Sequence, residues 1–183
     1  MTATLINANP FPEDYEFDQA LGQLRDEMIR RSDSVSFFLL REMKIRYCVG
    51  CWDCWWKTPG RCRHRDDMEE VHRAIVNSRW LIFATPLVAG FVSSLLKKLN
   101  DRMIPLIHPY MDIIQGECHH LRRYPHYPYL GLILREEEEG DSEDMDITAQ
   151  IYRRFAINFH SQLRFVHTHP VNRKEVLRAT GNI

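Results

Sequence analysis

The 183-residue chain has no apolar run approaching the roughly 18 residues that a membrane-spanning helix needs. It has no surplus of charge either: 24 Lys and Arg face 25 Asp and Glu, a formal net of −1. The overall charge therefore marks neither a nucleic-acid binder nor a membrane-surface protein. The first ten residues, MTATLINANP, lack a basic segment and a long apolar core. No signal peptide is expected, and a cytoplasmic location is the default. With 44% hydrophobic and 27% charged residues, the composition is that of a globular chain and excludes disorder, collagen and coiled coil. The length suits one domain over residues 1–183 and is too short for two full α/β domains. A chain of this size buries roughly 70% of its unfolded surface, so a real core needs no staples. There is no internal repeat.

What is there is an alternation of strand-like and helix-like stretches. Thr2 to Ala8 is a short apolar run broken at Asn9-Pro10, as expected of a buried strand entering a loop. Phe17 to Arg31 places Phe17, Ala20, Leu21, Leu24, Met28 and Ile29 at helical spacing. Ser34 to Leu40 reads as a second strand, Asp67 to Val76 as a helix with Asp66 at its cap, and Trp80 to Ala84 as a third strand. Pro86 and Gly90 punctuate a turn before a helix over Val92 to Met103. Leu130 to Leu134, Met145 to Phe159 and Leu163 to His167 give strand, helix and strand. Such alternation predicts an α/β fold, a doubly wound five-stranded parallel sheet of flavodoxin-like order 2-1-3-4-5. Leu5, Phe38, Ile82, Ile133 and Phe165 should be buried strand positions. Ligands in such sheets bind beyond the carboxyl ends of the strands, here the loops after Ala8 and Ala84. Residues 105 to 129, rich in Pro, His and Tyr, read as an ordered excursion. Glu136 to Asp146 reads as a solvated acidic loop.

Five cysteines are present, and four fall within fifteen residues: Cys48, Cys51, Cys54 and Cys62, spaced C-x2-C-x2-C-x7-C. The crowding points to a metal or redox site and away from a secreted disulfide framework. Four thiolates suit zinc or an iron–sulfur cluster, and the tight triple is closer to the latter. Packing cysteines and a thiol redox pair remain open alternatives. Lys57, Arg61, Arg63 and Arg65 favour ionised sulfur. Pro59-Gly60 supplies the reversal that lets the fourth cysteine return to the other three. Trp52, Trp55 and Trp56 crowd one loop, as at a site or an interface.

The segments RYCVGCWDCWWKTPGRCRHRDDM and SRWLIFATPLVAGFVSSLLKKLNDR, within residues 46 to 102, resemble the NADPH-dependent FMN reductase and iron–sulfur flavoprotein superfamily. The resemblance implies a flavodoxin-like fold, FMN, and a [4Fe-4S] cluster on Cys48, Cys51, Cys54 and Cys62. It places Thr85, Pro86, Leu87, Val88, Ala89 and Gly90 against the isoalloxazine ring. It implies an FMN-dependent NAD(P)H oxidoreductase that passes electrons to a quinone, flavin or iron–sulfur acceptor, without a catalytic acid or base of its own, and a homodimer. Members of the superfamily usually have an aromatic residue where this chain has Val88. Their first strand leads into a Gly-Ser-Pro-Arg-rich phosphate loop. Here the loop from Asn7 to Glu16 has no glycine, arginine, serine or threonine. Glu13, Asp14, Glu16 and Asp18 satisfy the helix dipole themselves and repel a phosphate, which leaves Asn7 and Asn9 as donors. The alternative reading is a non-enzymatic relative, an electron carrier or interaction module with a degenerate phosphate loop.

Overall fold

A computed structural model of the chain describes residues 2–31, 34–137, 140 and 142–181. Strand β1 (Thr2–Asn7) leads into α1 (Tyr15–Arg30), then β2 (Ser34–Leu39), the short α2 (Asp53–Trp56), α3 (Met68–Val76) and β3 (Trp80–Val88). The two-residue β4 (Phe91–Val92), α4 (Ser94–Asp101), β5 (Ile107–Ile114), β6 (Glu117–Arg122), β7 (Tyr129–Arg135), α5 (Ser142–Asn158), β8 (Leu163–Thr168) and α6 (Arg173–Gly181) follow. The central sheet has the order β2-β1-β3-β7-β8, and all four of its pairings are parallel. Among the described helices none is long and apolar enough to cross a membrane.

Strand residues alternate between two cores, as a sheet covered on both faces requires. Ala3, Leu5, Ile82, Ala84 and Ile133 pack under α1 and α6 with Phe17, Leu21, Leu24, Met28 and Val176. Ile6, Leu81, Phe83, Leu132 and Leu134 face the other way, onto Met68, Val71 and Ile75 of α3, Leu96 and Leu99 of α4, and Tyr152 and Ala156 of α5. Leu5, Phe38, Ile82, Ile133 and Phe165 are all buried, as predicted.

Three features depart from the sequence expectation. The third strand does not end at Ala84: it runs through Pro86 to Val88, and Ala89 (φ 52°) and Gly90 (φ 72°) turn it into the antiparallel β4. The sheet is therefore six-stranded and not wholly parallel. Two consecutive left-handed residues are the signature of a two-residue hairpin. The excursion over 105–129 holds a second sheet, the antiparallel hairpin β5–β6. Its mixed Pro, His and Tyr content conceals the alternation that marks a strand. The C-terminal helix α6 was not expected at all. Of the acidic stretch 136–146, residues 138, 139 and 141 lie outside the described residues, and α5 begins within the remainder.

Candidate functional site

The cysteine loop is built on few regular elements. Trp52 adopts a left-handed conformation and precedes the single turn of α2. Arg61 donates its backbone N–H to the Thr58 carbonyl across Pro59 and the left-handed Gly60 (φ 82°), so the expected reversal is present. Gly60 also donates to the carbonyl of Cys54, tying the two limbs together at 3.0 Å. The result is that Cys48, Cys51, Cys54 and Cys62 line one pocket with Trp52, His64, Arg102 and Pro105. The sulfurs feel one another. Burial pushes the Cys54 thiol up to about 11, and the neighbouring Cys62, Cys51 and Cys48 add to the rise. A raised thiol is protonated and inert, unless a metal centre takes the proton's place. Among the described residues no three His, Cys, Asp or Glu side chains converge tightly enough for one metal ion. A tetrahedral ion with sulfur at about 2.3 Å needs such convergence. A cluster does not, because its four thiolates bind separate irons. Four cysteine thiols lining one pocket are the donor type that a four-iron cluster takes.

A cation stands behind the quartet. Arg102 is 2% exposed and lies against Cys62, while its two terminal nitrogens fork onto Asp66 at 2.9 and 3.0 Å. Burial alone would raise the Asp66 carboxyl, but Arg102 and the N–H groups of Arg46 and Met68 hold it below its ordinary value. Asp66 accepts the Met68 N–H at 3.3 Å, but the N-cap of α3 is Asp67 and not Asp66 as expected; the larger task of Asp66 is to neutralise Arg102. His64 is a further neighbour: its Nε2 is buried and has no hydrogen-bond partner among the described residues. Arg102 falls within the segment that resembles the superfamily, but neither its position nor that of His64 marks a site in the sequence. Nothing short of tertiary contact could signal that either faces Cys62.

The excursion buttresses this loop. Trp55 donates from Nε1 to the carbonyls of Ile104 and Ile107, both at 3.1 Å, and packs against His120 of β6 with ring centres 5.0 Å apart. Trp52 and Trp56 remain exposed.

The second candidate is a cleft of about 720 Å³ at the carboxyl ends of β1, β3 and β7. Of the residues expected against a flavin ring, Pro86, Leu87 and Val88 line it. Thr85 does not: it is buried, donating to the Pro86 carbonyl at 2.8 Å and accepting the Ser93 N–H at 3.1 Å. Ala89 and Gly90 form the hairpin turn beside the cleft. The Gly90 N–H, a donor expected to face a flavin, is given to the Glu137 carboxylate at 3.2 Å.

The donors expected for a phosphate are engaged within the chain. Asn7 and Asn9 are buried, and both amides donate to Asp18, at 2.7 and 3.1 Å. Asp18 is held by Arg41 at 2.6 Å, and these partners keep its carboxyl low despite burial. The backbone N–H groups of Asn9 and Phe11 go to the side-chain oxygens of Asn7 and Asn9. Asp14 caps α1 by accepting the Phe17 N–H and pairs with Arg135. The FMN 5′-phosphate does not fit this loop, because the Asn7 and Asn9 amides and the nearby Arg41 and Arg135 already hold carboxylates of the chain. An isoalloxazine ring has room in the cleft; its phosphate has no seat.

The cleft and the cysteine pocket share no lining residue. No family model matches the chain. Curated relatives do. A protein named iron-sulfur flavoprotein from Methanocaldococcus jannaschii is 30% identical over 102 residues, 56% of this chain and 49% of that protein. One from Archaeoglobus fulgidus is 30% identical over 112 residues, 61% of this chain and 55% of that protein. The chain thus spans about half the length of these relatives. Among solved structures, an FMN-dependent NADH-azoreductase from Bacillus anthracis in complex with FMN superposes with a TM-score of 0.61 at 13% identity, covering 98% of this chain and 93% of the other. An NADH:FMN oxidoreductase in apo form gives 0.57 at 12% identity, with 98% and 84% covered. The chain is thus an α/β protein of flavodoxin-like architecture that resembles the iron–sulfur flavoproteins in sequence and shares its fold with FMN-dependent reductases.

Proposed function

We propose that the chain is an electron-transfer protein of the flavin oxidoreductase type, with a four-iron cluster on Cys48, Cys51, Cys54 and Cys62 and a flavin ring in the strand-end cleft. The observation that carries this reading is the presence of all four cysteines in the lining of one pocket together with the buried Arg102. A cluster there supplies one-electron transfer. The chain's own residues do the rest. The thiolates ligate, Arg102 lies against Cys62 with its charge balanced by Asp66, and Trp52 lines the pocket and packs on Trp55 with ring centres 4.8 Å apart. The names of the relatives agree with both groups. The test is anaerobic expression followed by iron and sulfide analysis. About four irons and four sulfides per chain, lost in Cys51→Ala, support the reading; absence of iron under those conditions overturns it.

In its full form the reading includes NAD(P)H as donor, a quinone, flavin or iron–sulfur acceptor, and a homodimer. A second copy answers a feature of the fold: cysteine pocket and cleft are lined by different parts of one chain, and the exposed Trp52, Trp56, Tyr47 and Val49 need a cover. One observation favours the carrier over the NAD(P)H-oxidising enzyme. The carboxylates that leave no room for the FMN phosphate also oppose the pyrophosphate of a dinucleotide. Stopped-flow mixing of the iron-loaded protein with NADH separates them: bleaching by NADH marks the enzyme, and bleaching by dithionite alone marks the carrier.

A further inference from the structure

The strand-end cleft combines three properties that bear on which flavin it accepts. Its floor is apolar, with Pro86, Leu87 and Val88 along β3 and the exposed rings of Phe11 and Tyr15 lining it as well. Its rim is acidic: Glu13, Asp14, Glu16, Glu136 and Glu137 line it, against Arg135 alone. Each cation within reach is committed, Arg135 to Asp14 and Arg41 to Asp18. On these grounds we propose that the cleft selects a flavin without its phosphate, taking riboflavin in preference to FMN. The proposal rests on the reading of this cleft as a flavin seat and specifies its ligand.

A phosphate monoester carries nearly two negative charges at neutral pH. To bind where the fold offers a helix N-terminus, it would have to displace Asp14 from the Phe17 N–H and from Arg135. It would also have to free Asn7 and Asn9 from Asp18, a bond network that keeps both amides buried. It would then face Glu13 and Glu16 at contact range. In effect Asp14 and Asp18 are the chain's own anions in the phosphate's place. Riboflavin makes none of these demands. Its ring needs apolar faces, which the floor provides. Its ribityl hydroxyls are donors, and the rim offers carboxylate acceptors, the stronger class of partner. The acidic rim that repels one end group is therefore matched to the other.

The test is a titration of the 183-residue chain with riboflavin and with FMN, read by quenching of flavin fluorescence, at low salt and at about 0.5 M salt. Riboflavin should bind at least about tenfold more tightly than FMN at low salt, and the gap should narrow as salt screens the rim. Glu13→Gln with Glu16→Gln, both exposed positions where folding is not at stake, should close much of the gap by strengthening FMN alone. FMN binding as tightly as riboflavin, or more tightly, overturns the selectivity while leaving the flavin seat intact. Binding of neither flavin overturns the seat itself, and the proposal with it.

Discussion

Removing the carboxylate of Asp66 is the perturbation with the best-defined consequence. Its two oxygens take four bonds: the Arg102 fork at 2.9 and 3.0 Å, the Arg46 N–H at 3.0 Å and the Met68 N–H at 3.3 Å. The Arg102 side chain is 1% exposed and that of Asp66 5%. In Asp66→Ala the guanidinium stays buried with the Arg46 carbonyl and Cys62 as its remaining neighbours. Breaking a buried pair in this way costs about 3–5 kcal/mol. For a domain of this size each kcal/mol moves the melting midpoint by about 2–4 °C. A fall of roughly 6–20 °C is expected. Urea unfolding followed by circular dichroism gives the free energy directly, and an unchanged slope would show that only stability has moved. Removing both charges, with Asp66→Leu and Arg102→Met together, should recover a large part of the loss, because no ion is then left uncompensated. A cost below about 1 kcal/mol for Asp66→Ala would refute the reasoning, since that is the value of an exposed pair.

Acid should act in two windows. His72 is buried and donates from Nε2 to the Arg102 carbonyl at 2.7 Å; burial pushes it down to about 4, so the unfolded chain binds the extra proton and stability falls as pH drops from about 6.5 to 4. Asp66 is held below its ordinary 3.8 and adds its loss only as pH falls further through its own lowered value; His72→Gln should remove the first window and leave the second, read from urea midpoints against pH. Gly131→Ala should destabilise by about 1–3 kcal/mol, because an added Cβ would lie 2.2 Å from the ring tip of Phe165; a melting point equal to the parent would contradict that packing. Gly90→Val puts a β-branched residue at φ 72° with its Cβ 2.8 Å from Asp144, and it should lower both the melting point and any flavin content. If the exposed face of the cysteine loop meets a second copy, light scattering at micromolar protein gives twice the 21.8 kDa chain mass; a single-chain mass refutes the dimer.

The parallel core was legible because its signals are local. Continuous apolar runs such as Leu5-Ile6 and Trp80 to Ala84 read as strands buried on both faces, and the four-residue spacing in α1 read as a helix. Pro59-Gly60 was equally legible, since the turn it makes depends on those two residues alone. What stayed hidden depended on distant partners. Pro86 argues against a strand by itself, yet β3 carries it, paired opposite Arg135 of β7. The hairpin β5–β6 has exposed Tyr110, Met111 and Ile113 where alternation would predict polar residues. Asn7 and Asn9 look like donors left open for a ligand, and only the fold reveals Asp18 beneath both.

The net charge of −1 hid a larger fact. Between Met43 and Arg65 six basic residues stand against Asp53 alone. The rim of the strand-end cleft carries five carboxylates against Arg135. An average near zero thus covers two sites of opposite charge that share no lining residue. Charge interactions are screened over about 8 Å at physiological salt, so a ligand at either site responds to the charges lining it more than to the sum. In the folded loop Lys57 and Arg63 pair with Asp53, and Arg65 with Glu69, so these cations are engaged by carboxylates of the chain and do not offset the rise at Cys54. The acidic rim disfavours the phosphate that the fold's FMN-dependent neighbours are named for. The charge distribution therefore redirects the flavin half of the reading drawn from the relatives, while the cluster half rests on the four thiols of one pocket.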